Sequence, residues 1–262
     1  MNEIFDRFRG ARIFDLAQSL YPGVPHFPTH APFLYSLSKL HGEFLNQGGG
    51  SSASEAITMG AHTGTHIDAL CHFSCCGKLF GDVEPRQSTT TGVEPYSIDT
   101  MQPILRRGVL FDIAAQQKVD VLPHDFVITP EHLADIGADL HEGDVAIIRT
   151  GWARYWDNPH QFVTAGLGAQ VTCPGPQRAG AEWLSAHKVF AVSSDTLAFE
   201  FMPSPAMEVH VHLLVERGIH IIENLNLDEL AAAGMKEFLF VASPLKIRGG
   251  TGSPIRPLGV VF

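Results

Sequence analysis

Three histidines and one aspartate lie within eleven residues of this chain, and all occupy even-numbered positions: His62, His66, Asp68 and His72. Imidazole nitrogens and carboxylate oxygens are the ligands that bind a borderline divalent cation such as Zn²⁺ or Mn²⁺. An extended segment directs alternate side chains to one side, so it would present all four groups together. Gly64 suits a backbone that must bend or come close to a bound group. The spacing therefore predicts a metal site.

The secondary structure around this segment must place its four side chains in one pocket. A helix would also align His62 with His66, but Gly64 and its two flanking threonines weaken a helix here. A strand over residues 55–61 is predicted to lead into His62. The stretch 46–54 before it is rich in Gly and Ser, which indicates a flexible loop. That loop is either a lid over the site or an ordinary connector.

Apolar runs alternate with amphipathic segments along the rest of the chain, which predicts an α/β fold with a mixed β-sheet and flanking helices. Thr129 and Pro130 mark a helix start, because a hydroxyl cap precedes a proline at the first helical position. The predicted strands span residues 12–20, 33–40, 55–61, 108–113, 145–150, 189–193, 219–223 and 238–242, and the predicted helices span 130–138, 176–186, 207–217 and 228–233.

Composition limits the class of protein. The chain has 262 residues, a mass of 28.5 kDa and 45% hydrophobic residues, which fits one large domain over residues 1–262. The net charge of −10, without a dense basic cluster, argues against nucleic acid or an anionic membrane as partner. No apolar run is long enough for a membrane span, and the N-terminus lacks a signal-peptide pattern. A small-molecule substrate is the expected partner.

The chain has four cysteines, and their spacing is not that of a zinc ribbon. Cys75 and Cys76 are adjacent, a poor arrangement for pairing with each other. Free thiols in a reducing cytoplasm are therefore predicted. Cys71 precedes His72 directly, and its expected role is small apolar packing.

The segment from His62 to His72 resembles the signature of the cyclase family, whose members include kynurenine formamidases and isatin hydrolases. The family pattern is His-x-Gly-Thr-His-x-Asp-x-Pro-x-His, and this chain departs from it only at Leu70, where the family has proline. Weaker similarities run through most of the chain. They are Asp15-Leu16, Pro22-Gly23-Val24-Pro25, Arg149-Thr150-Gly151-Trp152, Ser194-Asp195-Thr196, Glu223-Asn224-Leu225 and Pro244-Leu245-Lys246.

The resemblance implies a single cyclase-like domain of the swivelling β/β/α type. It also implies a metal-dependent hydrolase that uses a metal-activated water on an amide bond. The substrate would be a small cyclic lactam or imide, isatin-like, or an aryl formamide. One or two Zn²⁺ or Mn²⁺ ions per chain and a homodimer or homotetramer are expected with it.

Roles for the first cluster follow from what amide hydrolysis needs. His62, His66 and Asp68 are the predicted metal ligands, since three protein ligands leave positions open for water and substrate. His72 is the predicted general base or proton shuttle, because imidazole titrates near neutrality.

A second cluster contains His210, His212 and Glu223. The resemblance implies that a His and a Glu about a dozen residues apart complete the site, but the two histidines lie thirteen and eleven positions before Glu223. Residues two apart on a helix point about 200° apart, so both histidines cannot face one metal. His210 is favoured as the ligand with Glu223, because Val209 precedes it as in the family, and the register stays open.

Two residues are predicted to contact the substrate. Phe27 lies between two prolines where the family often has tryptophan, and it could stack on a flat ring. His212 is the second predicted contact. His26 and His30 are interpreted as surface residues, and Asp195 as an anchor for nearby backbone amides.

Two other classes of protein fit the ligand set. Two histidines and a carboxylate also form the facial triad of non-haem iron oxygenases. Those triads usually take their third ligand from far along the chain, and the oxygenase fold is all-β. The other class is a catalytically silent metal-binding or ligand-binding member of the same fold. Such a protein would have no need for His72.

Overall fold

A nine-stranded mixed sheet organises the chain in the computed structural model, which describes residues 2–262, with side chains from Phe5 onward. The strand order is β1-β15-β13-β7-β9-β11-β12-β4-β14, and short two-stranded sheets join β2 to β3, β5 to β6 and β8 to β10. The strands are β1 (Arg12–Asp15), β2 (Leu34–Lys39), β3 (Ser54–Thr58), β4 (His66–Asp68), β5 (Arg86–Ser88), β6 (Gly92–Glu94), β7 (Ile104–Asp112), β8 (Val127–Ile128), β9 (Val145–Arg149), β10 (Gly175–Pro176), β11 (Ala191–Ser194), β12 (His220–Glu223), β13 (Glu237–Ala242), β14 (Gly252–Pro254) and β15 (Leu258–Val261).

Helices are short and lie between the strands. The α-helices are α1 (Asn2–Gly10), α2 (Ile113–Gln116), α3 (Pro130–Asp135), α4 (Pro159–Thr164), α5 (Arg178–Ala186), α6 (Glu208–His210) and α7 (Asp228–Ala232). A π-helix follows α6 over Val211–Arg217, and 3₁₀ turns occupy Phe80–Asp82, Ile98–Thr100 and Trp152–Tyr155. The predicted mixed α/β fold is confirmed.

The centre of the sheet is parallel, and both of its faces are apolar. Strands β7, β9, β11 and β12 run parallel, while β4 and β14 continue the sheet with antiparallel pairing. In β9, Val145 and Ile147 enter one core cluster and Ala146 and Ile148 enter the other. A strand buried on both sides needs a continuous apolar run, which is why the sequence shows runs here rather than alternation.

Helices α3, α5 and α6 cover one face of the sheet through Leu133, Leu184 and Val209. The predicted start of α3 is confirmed: the Thr129 side chain accepts a hydrogen bond from the His132 amide, and Pro130 opens the helix. The face that α6 covers is also the face to which Glu223 points, because residues 221 and 223 of β12 share one side.

The segment predicted as a single helix over residues 207–217 is a short α-turn followed by a π-helix. Gly218 ends it in the left-handed conformation, with φ +66°. A π-helix has a wider turn than an α-helix and often occurs at functional sites. It places His210 in the last α-turn, before the widening begins.

Strands β2 and β3 form a hairpin that the sequence predicted only in part. The strand over residues 33–40 was expected to be half-buried, but β2 is almost wholly exposed, because β2 and β3 pair only with each other. The predicted strand over residues 55–61 ends at Thr58. The glycine-rich stretch 46–54 lies mostly in the connection between β2 and β3. Separately, no helix within residues 2–262 is long and apolar enough to cross a membrane.

Candidate metal centre

A tight turn, rather than a strand, brings His62 into the site. Only residues 66–68 of the predicted extended segment form a strand, and residues 61–65 turn with Gly64 at φ +73°. The positive φ favours glycine at this position, and a Cβ there would also displace the end of the exposed Leu20 side chain. The shared-parity prediction therefore holds for His66 and Asp68, whereas His62 arrives from the turn.

Neighbouring backbone locks this turn. The Thr65 hydroxyl donates to the Asn224 carbonyl at 2.6 Å, and Asn224 Nδ2 donates to the Gly64 carbonyl at 3.0 Å. His66 Nδ1 lies 2.8 Å from the same Gly64 carbonyl. A carbonyl only accepts, so His66 Nδ1 carries the proton, and Nε2 is left as a ligand atom.

The first ligand group consists of His62, His66 and Asp68, all buried. His62 Nδ1 lies 2.7 Å from Asp68 Oδ1, and His66 Nε2 lies 3.6 Å from the same oxygen. The structure therefore brings the three predicted ligands together.

The second ligand group consists of His210 and Glu223, with Asp68 between the two groups. Strand β12 pairs antiparallel with β4, which sets Glu223 opposite His66, and the two side chains approach to 3.4 Å. His210 Nε2 lies 3.5 Å from Glu223 Oε1 and 3.9 Å from Asp68 Oδ2. His210 and Glu223 are thirteen residues apart in sequence. Their side chains lie close together because α6 covers the end of β12.

Glu200 holds the second group in place, and the sequence analysis missed it. Its Oε1 lies 2.6 Å from His210 Nδ1 and accepts from the His210 amide at 3.1 Å. The next residue back, Phe199, donates its amide to Glu223 Oε1 at 2.8 Å. A carboxylate behind a histidine fixes the tautomer and leaves Nε2 facing the site. The detectable signal was a glutamate inside the apolar run 197–201, since buried glutamates are rare without a partner.

His212 does not reach the site. Its Nε2 lies 2.9 Å from Ser185 Oγ and its Nδ1 lies 2.8 Å from Glu216 Oε2, and the residue is fully buried. The prediction that His212 contacts the substrate does not fit this placement. His212 lies two residues after His210, in the π-helix. Its ring therefore points away from His210 and toward α5.

His72 lies against His62, with ring centroids 3.9 Å apart. Ligand atoms of His62, Asp68 and His72 lie within 4.8 Å of one another, as do those of Asp68, His210 and Glu223. Burial lowers the pKa of His72 to about 3, despite the opposing effect of Asp68. His72 is therefore neutral at physiological pH.

A pocket of about 200 Å³ opens in front of these groups. Phe27 lines it, as predicted for a substrate contact, and the ring of His30 lies 5.5 Å from Phe27. His30 also lines the pocket, so its interpretation as a surface residue is wrong. No residue of the stretch 46–54 lines it, which removes the support for a lid. The lining residues are Phe27, Thr29, His30, His62, His66, His72, Phe73, Leu197, Ala198, Met207, His210 and Glu223.

Charge is concentrated at Asp68. Burial alone would raise the pKa of Asp68, but His72 and His62 hold that pKa well below its usual range. Burial opposes the charged form of His210, yet hydrogen bonds to Glu200 and Glu223 raise its pKa to about 10. The site therefore holds a buried anion at Asp68 and a positively charged His210.

Thr251 and Gly252, at the start of strand β14, support the first group. His62 Nε2 lies 3.0 Å from Thr251 Oγ1, and a Cβ on Gly252 would lie 2.4 Å from His62 Cε1. Behind the site, His220 Nδ1 lies 2.9 Å from the Asp68 carbonyl. None of these three residues was identified from the sequence. They reach the site only because β12 and β14 pair with β4.

The donor set fits a divalent cation. Asp68 Oδ2 is buried and has no hydrogen-bond partner among the described residues, although it carries charge. A buried anionic oxygen without a partner is costly, and a cation would satisfy it. Three to four imidazoles and two carboxylates are the ligands that Zn²⁺ and Mn²⁺ accept.

Two further expectations concern residues near the site. Leu70, in place of the family proline, packs against the core under the helices and does not line the pocket. Asp195 is confirmed as a backbone anchor: it accepts from the Thr150 amide and hydroxyl and from the Gly151 amide, at 2.6–2.8 Å.

Known proteins share this sequence and architecture. The Cyclase family model, described as "Putative cyclase", matches residues 14–201. An isatin hydrolase of Roseibium aggregatum is 29% identical over 212 residues, covering 78% of this chain and 73% of that protein. A kynurenine formamidase of Bacillus cereus is 25% identical over 252 residues, covering 92% of this chain and 94% of that protein.

Solved structures agree in fold. A crystal structure described as a novel cyclase superposes with a TM-score of 0.86 at 27% identity, covering 100% of this chain and 90% of that one. An isatin hydrolase bound to the product analogue thioisatinate gives a TM-score of 0.79 at 22% identity, with 99% and 97% covered. The architecture is thus common to the group.

Proposed function

This chain belongs to the Cyclase family, and we propose that it is a metal-dependent hydrolase of a small non-peptide amide. The bond cleaved is the C–N bond of a cyclic lactam or imide, or of an aryl formamide, and water supplies the oxygen of the carboxylate formed. The observation that carries the proposal is Asp68, whose two buried oxygens face two groups of side chains that line the pocket. Relatives named isatin hydrolase and kynurenine formamidase support it.

His62, His66 and Asp68 would hold a first divalent ion, and Asp68, His210 and Glu223 a second. Zn²⁺ and Mn²⁺ are both compatible with this donor set, and availability commonly decides between them. The 3.4–3.9 Å separations among His66, His210 and the two carboxylates leave space between their ligand atoms for a cation.

A bound divalent ion supplies water of lowered pKa and polarises the amide carbonyl. Burial keeps the ring of His72 uncharged at neutral pH but also makes it a weak base, so in this scheme it would hold a proton only transiently. It can then pass that proton to the departing nitrogen. Glu200 and Thr251 do not touch the pocket contents in this scheme; they orient His210 and His62.

The pocket favours a flat, uncharged substrate. Its walls include the apolar side chains of Phe27, Phe73, Leu197 and Met207, and no lysine or arginine lines it among the described residues. A substrate with a free carboxylate would find no cation there other than the metal. An aromatic lactam or a simple aryl formamide therefore fits better than an amino-acid formamide.

A homodimer or homotetramer is part of the proposal. The β2–β3 hairpin exposes Tyr35, Leu37 and Ile57 on one face, each 45% exposed or more, and its connection exposes Phe44 and Leu45. A two-stranded hairpin is marginally stable alone, and exposed apolar side chains grouped on one face favour an interaction surface. We propose that a second copy of the chain packs against these exposed side chains.

A cytoplasmic location is also proposed. All four cysteines are free thiols, as predicted, and free thiols persist in reducing compartments.

The decisive experiment joins metal analysis to a substrate screen. Purified protein should be analysed for metals, depleted, reloaded with Zn²⁺ or Mn²⁺, and assayed against isatin-like lactams, cyclic imides and aryl formamides. Metal-dependent release of a carboxylate is expected. Tight metal binding with no turnover of any amide would instead support a silent member of the family.

The oxygenase interpretation loses its support. It required an all-β fold, whereas this chain has a mixed α/β sheet flanked by helices on both faces. Turnover without oxygen or a reductant is the corresponding check in the same assay.

A further inference from the structure

An exposed pair of thiols lies on the turn that follows the pocket segment. Cys75 and Lys78 exchange both backbone hydrogen bonds at 2.9 Å, and the central residues Cys76 and Gly77 have φ +53° and +76°. Positive φ at both central positions defines a type I′ hairpin turn. Such a turn holds the backbone between the two cysteines rigidly. Phe73, two residues before Cys75, lines the pocket.

The two sulfurs are spaced for joint coordination. Cys75 Sγ lies 3.8 Å from Cys76 Sγ, and both residues are exposed. Two thiolates bound at about 2.3 Å to one tetrahedral cation lie about 3.8 Å apart, and two on a pyramidal trivalent arsenic lie slightly closer together. A disulfide is disfavoured instead, because adjacent Cα atoms are about 3.8 Å apart and disulfides usually need 4.4–6.8 Å.

The other two thiols cannot compete for the same reagent. Cys71 and Cys173 are buried, and burial raises the pKa of their thiols to about 11 and about 12. The hydrogen bond to the neighbouring Cys76 thiol also raises the pKa of Cys75, so the Cys75 thiol is not activated as a single nucleophile. Chelation by both sulfurs is the chemistry that their spacing favours.

We propose that Cys75 and Cys76 form a vicinal dithiol site for a thiophilic centre, such as a trivalent arsenical or a soft metal cation. With an arsenoxide, both S–H bonds break and two S–As bonds form. The oxide oxygen leaves as water with the two thiol protons, and arsenic stays trivalent. No oxidant or reductant is needed. The site is independent of the hydrolase proposal.

Phenylarsine oxide is the probe, and intact-protein mass is the readout. Wild-type protein should gain one reagent mass less one water, and a dithiol such as 2,3-dimercaptopropanol should remove it, whereas a monothiol should not. Cys75→Ser and Cys76→Ser should each abolish the stable adduct. Cys71→Ala is the matched control and should keep it.

Circular dichroism of each variant shows that folding is intact, and substitution at two exposed positions leaves the core untouched. An adduct that persists in both serine variants would overturn the proposal, as would a wild-type protein that gains no mass. An adduct removed equally well by a monothiol would mean attachment through one sulfur and would also overturn it.

Discussion

The two ligand groups around Asp68 are held in different ways. His62 and His66 come from a short stretch whose turn is fixed by backbone contacts of Gly64, Thr65 and Asn224. His210 and Glu223 come from separate elements and depend on a buried carboxylate and an amide, from Glu200 and Phe199. The first group therefore depends on one turn braced by long-range hydrogen bonds, and the second depends on buried charge and packing.

This difference predicts unequal tolerance. A group whose histidines share one turn should lose only part of its metal affinity when one outside contact is removed, whereas a group assembled from separate elements should fail when one buried partner is removed. Asp68 belongs to both groups, so its loss should exceed any other single effect.

Asp68→Asn should therefore give the largest effect. It keeps the shape but removes the charge that both groups share, so metal content should fall to background and turnover should be lost. Elemental analysis and an amide-hydrolysis assay on the same preparation measure this. Retained metal with near-normal rate would show that the two groups do not depend on Asp68.

His72→Ala should retain the metal and lose turnover by roughly 10²–10⁴-fold, as for removal of a general base. Metal content and kcat should again be measured together. Loss of metal with the activity would show that His72 is a ligand, as its distance to His62 and Asp68 permits.

His210→Ala should reduce turnover or second-ion occupancy by an order of magnitude or more. His212→Ala is its matched control and should leave metal content unchanged. Because His212 is buried and bonded to Ser185 and Glu216, its loss should cost about 1–3 kcal/mol of stability. Metal titration measures the loss of ion binding, and thermal unfolding measures the loss of stability. Equal metal loss from both variants would contradict the assignment of His210 to the site and of His212 away from it.

Thr251→Val should weaken metal binding by about 10- to 100-fold, the usual cost of losing a hydrogen bond behind a ligating histidine. Thr251→Ser keeps the hydroxyl and should restore most of the affinity. Direct titration of metal-free protein measures this, and identical affinities for the two variants would exclude a role for the hydroxyl in orienting His62.

The smallest expected effect is the release of a proton from His210 when the second ion binds. His210 has a pKa raised to about 10 without metal, so it is protonated at pH 8 and must lose that proton to bind a cation. Apparent affinity for the second ion should therefore rise with pH up to about 10. Calorimetry in buffers of different ionisation enthalpy should detect the released proton, and Glu200→Gln should reduce the release at pH 8, because it lowers the His210 pKa.

The first group was predictable because its ligands lie in one segment with diagnostic spacing. His66 and Asp68 share a face as alternation requires, but His62 could not be placed correctly, because the turn at Gly64 depends on contacts from Leu20 and Asn224. The strands and helices of the sheet core were found for the same reason, since their apolar patterns are local.

The second group was harder to read because the evidence for it is tertiary. The choice between His210 and His212 depended on where the helix widens, which periodicity does not show. Glu200, Thr251 and His30 have no motif around them and reach the site only through packing. The exposed hairpin was misread because alternation in β2 does not reveal what covers either face.

Strand β14 has a consequence for the order of events during synthesis. Its residues pair with β4, and Thr251 meets the ring of His62 across 189 positions of sequence. A ribosome must therefore make nearly the whole of this sequence before His62 has its neighbour, and an ion arriving earlier encounters a His62 ring that Thr251 does not yet orient. Tight metal uptake should then follow translation, and a nascent chain stopped short of Thr251 should retain less metal through gel filtration than the full chain.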